Sequence, residues 1–429
     1  MRVLVTGAYG FIGSYIVAAL VAAGHEVVCA VRAARVDRRF PGIATLACDM
    51  ARDTREEDWR PRLAGIDAVV NCAGILRERR GESFEDVHVR APLALFRACV
   101  TAGVRRVVQI SAIGSPEDGA FVASKHRCDA GLAHLDLDWT LLRPSLVYSA
   151  RGSYGGTSLL RALAALPGVL LLPGSGAQRL QPVAAEDVGA AVVAALGRPE
   201  ASRQVFELVG PDVLALRDYL GSWRRWLGLG PARALHVPLA LVRIATACGE
   251  WLGRGPLGET MRRMLERGNV GAPGAWEHAR DWLGVAARPL TRALAEAPAQ
   301  VQDCWHARLY LWLPLLRVSL ALLWIASGLV GLLLPADAIR AAAVGVDASV
   351  GTLAAARGAG ALDLALGTLC LLRWRPRLVL GAMLLMLAGY TLGIGVLWPR
   401  HWLDPFGGLL KNLPLAAALA VVLAVEERR

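Results

Sequence analysis

Met1-Arg-Val-Leu-Val-Thr-Gly7-Ala-Tyr-Gly10-Phe-Ile-Gly13 begins the chain, and this stretch decides the fold. A short run rich in β-branched residues leads into three glycines, and an Ala-rich helical pattern over residues 14–23 follows. Strand, glycine turn and helix together cradle the pyrophosphate of a dinucleotide. Gly7 permits the tight turn, Gly10 lets the backbone approach the phosphates, and Gly13 lets the helix pack closely. The helix N-terminus adds free N–H groups and a positive dipole end, so we predict a dinucleotide-binding domain here.

The composition of the whole chain indicates a soluble part followed by a membrane part. Of the 429 residues 55% are hydrophobic, mean hydropathy is +0.42, and the apolar excess lies at the C-terminal end. The net charge of +11 is scattered, which argues against nucleic-acid binding and favours contact with anionic lipid. The eight cysteines have no CxxC or zinc spacing, so we expect reduced thiols, no metal site and a cytosolic domain. We also expect no cleavable targeting segment.

Further strand patterns alternate with helical ones after the glycine turn. The strands are predicted at residues 25–31, 46–49, 66–73, 107–111 and 141–148, with a helix over 84–102. This alternation predicts an α/β Rossmann fold, a doubly wound parallel sheet with helices on both faces. We predict three domains: the dinucleotide-binding domain over 1–210, a small, mostly helical substrate-side region over 211–305, and an all-α transmembrane domain over 306–429.

The end of the second predicted strand bears on the choice of cofactor. An acid there holds the ribose 2′-hydroxyl of NAD, whereas an arginine suits the 2′-phosphate of NADP. This chain has Arg32 at that place, and Arg35, Arg38 and Arg39 follow it. We therefore predict that NADP(H) is preferred and that NAD(H) is an alternative ligand. A solvated basic loop would explain the same arginines without a ligand.

Several motifs in the first 300 residues resemble one family. They are Thr6-Gly-Ala-Tyr-Gly-Phe-Ile-Gly13, Asn71-Cys-Ala-Gly74, Ser111-Ala-Ile-Gly-Ser115, Phe121-Val-Ala-Ser-Lys125 and Leu142-Arg-Pro-Ser-Leu-Val-Tyr148. They resemble the extended and atypical short-chain dehydrogenase/reductases, in particular the subgroup with the Rossmann-fold accessory subunit of respiratory complex I. The candidate cofactor-binding residues are Gly7, Tyr9, Gly10, Phe11, Ile12, Gly13, Arg32, Asp49, Met50, Asn71, Ala73, Gly74, Ser111, Lys125 and Pro144.

The resemblance implies a catalytic set of Ser, Tyr and Lys, of which one member is missing. It implies that Ser111 orients the substrate and that Lys125 holds the nicotinamide ribose and lowers the pKa of the tyrosine. The tyrosine position is Phe121, which has no hydroxyl to exchange the proton that accompanies hydride transfer. Lys125 and Lys411 are the only lysines among 47 basic residues, which favours a functional role for Lys125.

The last 120 residues predict membrane-spanning helices. Residues 318–334 and 378–398 carry no charge, and the weaker spans 352–372 and 405–425 carry Asp363 and Lys411, respectively. A spanning helix needs about 20 predominantly apolar residues, so we predict four transmembrane helices. The loop 373–377 has three arginines and should be cytoplasmic, which places both termini and the Rossmann domain on the cytoplasmic side of the inner membrane.

Short motifs in this region resemble the DoxX-like four-helix membrane family. They are Leu316-Arg-Val-Ser-Leu320, Trp324-Ile-Ala-Ser-Gly328 and Leu410-Lys-Asn-Leu-Pro414. Ionisable groups at bilayer depth mark a pairing or a site, so we hypothesise a buried ion pair of Asp363 with Lys411 or Arg317. Alternatively, Arg317 and Lys411 extend to the lipid headgroups.

Two functions remain open from the sequence. The first is a membrane-anchored NAD(P)(H)-dependent oxidoreductase that acts on a lipophilic substrate, such as a quinone, taken from the bilayer. The second is a non-catalytic NADP(H)-binding subunit or assembly factor of a respiratory or other membrane protein complex. The family's usual chemistry favours the first, whereas Phe121 and the resemblance to the complex I subunit favour the second.

Overall fold

The chain folds into two compact units, Met1–Ala307 and Arg308–Arg429. The computed structural model describes residues 1–32, 40–251, 258–342, 350–403, 405 and 407–426. Its strands are β1 (Arg2–Thr6), β2 (Glu26–Val31), β3 (Ala44–Ala47), β4 (Ala68–Asn71), β5 (Arg106–Ile110), β6 (Asp138–Pro144), β7 (Val147–Tyr148), β8 (Val169–Pro173), β9 (Arg179–Leu180), β10 (Val183–Ala184), β11 (Gln204–Leu208), β12 (Leu214–Ala215) and β13 (Arg233–Val237).

Helices cover both faces of the main sheet of the first unit and form the second unit. They are α1 (Phe11–Ala22), α2 (Glu56–Trp59), α3 (Ala91–Ala102), α4 (Ala120–Ala133), α5 (Gly156–Ala164), α6 (Ala185–Gly197), α7 (Leu216–Trp226), α8 (Leu239–Trp251), α9 (Glu259–Arg267), α10 (Ala275–Leu283), α11 (Leu290–Ala295), α12 (Val301–Leu333), α13 (Ala336–Ala342), α14 (Val350–Leu372), α15 (Pro376–Leu397) and α16 (Asn412–Ala424).

Seven of the described strands form one parallel sheet in the order β11-β6-β5-β4-β1-β2-β3. The order reverses between β1 and β4, and doubly wound sheets bind ligands at the carboxyl ends of the strands at such a reversal. Val3 and Val5 of β1 face the core that contains α1 and α6, and Leu4 faces the core on the opposite side. Because both faces are covered, the three central residues of the strand, Val3–Val5, are all apolar. The predicted Rossmann fold is confirmed.

Several predicted elements begin or end differently in the structure. The first helix begins at Phe11, directly after the glycine turn, rather than at residue 14. The helix predicted over 84–102 is divided into a π-helical turn, Glu85–Arg90, and α3, because Pro92 at the start of α3 has no N–H to continue the earlier turn. Gly103, with φ +77°, ends α3 as predicted.

The first unit has a further core beside the main sheet. Tyr148, Tyr219 and Trp223 are fully buried there and meet edge to face, with ring centroids 5.9 and 6.1 Å apart. This core combines residues from both sides of position 210. The domain boundary at 210 stays a prediction.

In the described part of the second unit, three long apolar helices and a shorter apolar one accompany the seven-residue α13. The helices α12, α14 (over Leu353–Leu372) and α15 have the length and hydropathy of membrane spans. The fourth predicted span, 405–425, gives only the 13-residue α16, because turns over 407–411 precede it. All four helices contribute to one core, as expected for a four-helix domain. Gly328 of α12 packs directly on the backbone of α14 at Gly360 and Leu364.

The ionisable groups of the second unit pair differently from our hypothesis. Asp363 accepts hydrogen bonds from two hydroxyl groups, Ser327 Oγ at 2.9 Å and Tyr390 Oη at 3.2 Å. Arg317 forms an ion pair with Glu426 near the end of the chain. The proposed pairing of Asp363 with a basic residue is therefore wrong, and the carboxylate instead joins three helices through hydroxyl groups.

Candidate functional site

The glycine turn between β1 and α1 is shaped for close backbone approach. Gly7 has φ +63°, and a Cβ on it would lie 2.7 Å from the carbonyl oxygen of Cys72, which follows β4. A Cβ on Gly13 would overlap the carbonyl oxygen of Gly7. Among the described residues no side chain caps the N-terminus of α1 at Gly10, so its first N–H groups are available to an anion. The turn therefore fits a dinucleotide pyrophosphate.

The aromatic residues of the fingerprint pack beside this turn. The Tyr9 ring lies 5.8 Å from that of Phe40, and the Phe11 ring meets Tyr15 edge to face at 5.5 Å. These rings and Ile12 are partly buried against the core that contains α1. Side chains of the predicted set thus border the turn, while the backbone of the helix N-terminus is positioned to bind phosphate.

The residues predicted to contact the adenosine half lie at the ends of β2 and β3. Arg32 follows β2 and forms an ion pair with Glu82, a carboxylate from the segment after β4. Asp49 lies two residues beyond β3, where it accepts a hydrogen bond from the Ala51 amide at 3.1 Å. Met50 beside it packs against the core under β3. Arg35, Arg38 and Arg39 lie outside the described residues.

Asn71, at the carboxyl end of β4, is buried in a network of protein groups. Its Oδ1 accepts a hydrogen bond from the Thr6 hydroxyl and one from the Ala73 amide at 3.3 Å. Its Nδ2 donates to Gln109 Oε1 at 2.7 Å. These contacts join the ends of β1, β4 and β5. The Asn71 side chain therefore holds these strand ends together rather than projecting toward a ligand.

Lys125 of α4 reaches the same strand ends. Its Nζ donates to the carbonyl oxygen of Ala73 at 2.8 Å and to that of Ile110 at 3.3 Å. A Cβ on Gly74 would lie 3.2 Å from this Nζ, so the ammonium group rests against the glycine. Burial lowers the pKa of Lys125. The ammonium group has three protons, and two are directed at these carbonyl groups.

Ser111 is bound to a carboxylate that the sequence did not single out. Its hydroxyl donates to Asp129 Oδ2 at 2.7 Å, and Arg143 Nη2 donates to the same oxygen at 2.9 Å. Asp129 lies one turn after Lys125 on α4, and Pro144 ends β6 beside Arg143. The one-turn spacing was the only sign of Asp129 in the sequence, because its partners come from other strands.

Phe121 belongs to an aromatic cluster with Phe84 and His88. Its ring meets His88 edge to face at 5.5 Å and Phe84 at 6.2 Å, while Phe84 stacks on His88 at 5.1 Å. His88 Nε2 accepts a hydrogen bond from the Ile75 amide at 2.9 Å, and Nδ1 lies 2.8 Å from Ser124 Oγ. Burial lowers the pKa of His88 to about 2, so the ring is neutral and both nitrogens are engaged.

Two ion pairs join α8 and α9 to the loops at the carboxyl ends of the strands. Arg267, at the end of α9, pairs with Asp118 and donates to the carbonyl oxygen of Ile113 at 3.4 Å, after β5. Glu250 of α8 pairs with Arg77, after β4. The sequence placed these helices only within a substrate-side region. Their contacts show that they border the edge where the predicted site residues meet.

These residues can bind a dinucleotide, but Phe121 does not supply the proton donor that carbonyl reduction requires. The glycine turn, the helix N-terminus and Lys125 converge at the ends of β1, β4 and β5. Ser111 is bound to Asp129, and the ring at the tyrosine position has no hydroxyl group. The arrangement therefore supports binding more completely than proton transfer.

Known proteins show similarity to each of the two regions. A family model described as NAD(P)H-binding matches residues 7–199, and the DoxX-like family matches residues 321–420. The chain is 29% identical to NADH dehydrogenase [ubiquinone] 1 alpha subcomplex subunit 9 of Arabidopsis thaliana over 52% of this chain and 59% of that protein. It is 26% identical to photosystem II assembly factor Ycf39 of Synechocystis over 57% and 72%, respectively.

The fold is also found in solved structures. A UDP-glucose 4-epimerase from Thermotoga maritima, solved with UDP-glucose, aligns with a TM-score of 0.53 and 16% identity. It covers 72% of this chain and all of that enzyme, and at this identity the likeness concerns the fold alone. The resemblances found in the sequence are confirmed. The chain joins a region similar to NAD(P)H-binding proteins to a C-terminal region similar to the DoxX-like family.

Proposed function

We propose that this protein is a membrane-anchored NAD(P)(H)-binding subunit or assembly factor of a membrane protein complex. In this role the dinucleotide is a structural or redox-sensing ligand rather than a consumed substrate. The observation that carries the proposal is the phenyl ring of Phe121, which packs against His88 where the family has an ionisable tyrosine. Without that hydroxyl, hydride transfer to a carbonyl lacks its proton donor.

The titratable neighbour of Phe121 is a poor replacement for the missing tyrosine. His88 is neutral, its pKa is lowered to about 2 by burial, and its nitrogens are engaged by Ile75 and Ser124. A general acid needs a pKa near the working pH and a free path to its substrate. The relatives named as a respiratory-complex subunit and as a photosystem assembly factor support the same role.

The finer parts of the proposal follow from charge and hydropathy. NADP(H) is the preferred ligand because Arg32 stands where the 2′-phosphate would lie, and NAD(H) is the alternative. The protein is a multi-pass inner-membrane protein with its Rossmann domain in the cytoplasm, because Arg373, Arg375 and Arg377 fall in one loop between spans. The binding residues are the ones described above at the glycine turn, at the N-terminus of α1 and at the carboxyl ends of the strands.

A second candidate function is reduction of a lipophilic substrate such as a quinone. The observation that favours it is Lys125, because its buried ammonium group is retained beside Gly74 in a chain with one other lysine. In this role Lys125 would hold the nicotinamide ribose, and another group would have to supply the protons that quinone reduction requires. The two functions differ in whether bound NADPH is oxidised.

Restoring the tyrosine tests the proposal at its critical position. The full chain, purified in lipid nanodiscs, is mixed with NADPH and a panel of quinones and aldehydes while nicotinamide absorbance is followed. We expect tight binding without oxidation by the wild-type protein and measurable aldehyde turnover by Phe121→Tyr. Phe84→Tyr, which adds a hydroxyl to the neighbouring ring, is the matched control and should remain inactive. NADPH oxidation by the wild-type protein would instead support the oxidoreductase.

A further inference from the structure

The ion pair between Arg32 and Glu82 lies where the adenosine ribose of a dinucleotide is recognised. The residue about 20 positions after the glycine fingerprint, at the end of the second strand, normally reads the ribose 2′ group. In this chain that residue is Arg32, and its guanidinium group contacts the Glu82 carboxylate. An arginine, as in NADP sites, thus stands at the end of β2, and a carboxylate that could accept from the ribose reaches the same place from the segment after β4.

Glu82 is held in place by its own turn. The Glu82 amide donates to the Arg79 carbonyl oxygen at 2.8 Å, and the Arg79 amide donates to the Glu82 carbonyl oxygen at 2.9 Å. Gly81 between them has φ +82°, which the turn requires and which glycine adopts without strain. Two reciprocal backbone hydrogen bonds therefore fix the turn that carries Glu82, and the carboxylate itself is paired with Arg32.

We propose that Glu82 sets the dinucleotide preference by competing with the 2′-phosphate for Arg32. This inference rests on the proposed dinucleotide binding and identifies which residue discriminates between its two forms. With NADP(H), Arg32 leaves Glu82 and binds the phosphate, for which its planar fork of donors is suited. With NAD(H), the pair remains and the Glu82 carboxylate accepts a hydrogen bond from the ribose 2′-hydroxyl.

The exposure of the pair allows this exchange of partners. The Arg32 side chain is 57% exposed and that of Glu82 is 22% exposed. An ion pair so open to water is weakly held, because solvent screens the charges and hydrates both groups when they separate. A phosphate dianion can therefore displace the Glu82 carboxylate from Arg32. That carboxylate stays nearby, however, and repels the phosphate. The result is a site that accepts both dinucleotides, with a preference limited by Glu82.

Charge neutralisation at Glu82 tests the inference directly. Dissociation constants of NADPH and NADH are measured by calorimetry on the full chain in nanodiscs. Glu82→Gln keeps the shape but removes the charge, and we expect it to shift the affinity ratio toward NADPH by about tenfold or more. Arg32→Gln should shift the ratio in the opposite direction. In the Arg32→Gln background, Glu82→Gln should have a smaller effect, because the carboxylate no longer competes for the guanidinium group.

The control is Glu85→Gln, which neutralises a nearby carboxylate that pairs with Arg127 instead. It should leave the ratio unchanged. A Glu82→Gln ratio within about twofold of wild type, or an equal loss of both affinities, would overturn the role of Glu82 while dinucleotide binding stands. If the wild-type protein binds neither dinucleotide, the proposed function fails together with this inference.

Discussion

Polar side chains at the carboxyl edge of the sheet are bonded mainly to one another. Asn71 joins three strand ends, Ser111 is bound to Asp129, and His88 is held between Ile75 and Ser124. Buried polar groups that form such hydrogen bonds hold the carboxyl edge of the sheet in one rigid arrangement. An isolated buried histidine would cost stability if it were charged, so the neutral state of His88 is part of this arrangement.

We predict that His88 makes the first unit sensitive to acid. Its pKa is lowered from 6.5 to about 2 by burial, so the unfolded chain binds a proton that the folded chain refuses. Its stabilising contribution is complete above pH 6.5 and is lost as the pH falls from 6.5 toward 2, by up to about 1.4 kcal/mol per pH unit. Denaturant unfolding of the full chain, followed across this range, measures the slope.

His88→Phe should remove that part of the slope because the side chain can no longer titrate. His236→Gln changes an exposed histidine of the same unit and is the control. Equal slopes for wild type and His88→Phe would show that His88 is not held in its neutral form by burial.

At the scale of elements, the glycine turn and α1 form the part of the dinucleotide site where one added methyl group can block binding. A Cβ on Gly13 would overlap the carbonyl oxygen of Gly7, and α1 packs closely along α6 with Gly189 against the Tyr15 backbone. Helix and strand can therefore not move apart without disturbing the core between them. This makes the turn rigid and its geometry sensitive to substitution.

We predict that Gly13→Ala weakens dinucleotide binding at least tenfold and destabilises the first unit by about 1–3 kcal/mol. The added methyl group would push α1 away from the turn and misplace the N–H groups for the pyrophosphate. Gly197→Ala, near the end of α6 where a Cβ meets open space, is the matched control and should bind normally. Calorimetry gives the affinity and thermal unfolding the stability. Wild-type affinity in Gly13→Ala would show that the dinucleotide binds elsewhere.

The sequence predicted a helix or strand correctly where residues close together in the chain determine it. The glycine fingerprint and apolar strands predict β1, α1 and the parallel sheet, because both depend on neighbouring residues. The division of 84–102 into a π-helical turn and α3 was not predicted, since packing around His88 and Pro92 decides it. The shorter α16 was likewise not predicted, because hydropathy does not locate the turns before it.

The candidate site was predicted where a family motif exists and was missed where contacts are long-range. Ser111, Lys125 and the absent tyrosine at Phe121 follow from motif positions alone. Asp129, His88 and Glu82 were not found, because their partners lie 18, 36 and 50 positions away in the sequence or belong to other strands. Such pairings are set by the order of strands in the sheet, which motif spacing does not encode.

For the whole molecule, the charges of the second unit indicate how it is oriented. Glu426 is buried and paired with Arg317 and Arg373, and its carbonyl oxygen accepts from Arg377 at 2.8 Å. The arginine loop between α14 and α15 and the end of the described chain therefore lie at the same end of this unit. From the positive-inside rule we expect that end to face the cytoplasm.

We predict that the C-terminus is cytoplasmic. A green fluorescent protein fused after Arg429 should be fluorescent, and alkaline phosphatase fused there should be inactive, because each folds on one side of the membrane only. Alkaline phosphatase fused after Leu334, beyond α12, is the matched control and should be active. An active phosphatase after Arg429 would contradict the predicted sidedness.

The central claim is that the first unit holds a nicotinamide dinucleotide that it does not consume. The most direct measurement follows the nicotinamide fluorescence of NADPH bound to the full chain in nanodiscs that contain a quinone. We predict that the bound nucleotide stays reduced and can be recovered intact, because Phe121 supplies no proton and His88 is neutral and engaged. Protein-dependent oxidation of bound NADPH that Lys125→Ala abolishes would contradict the claim and establish an oxidoreductase.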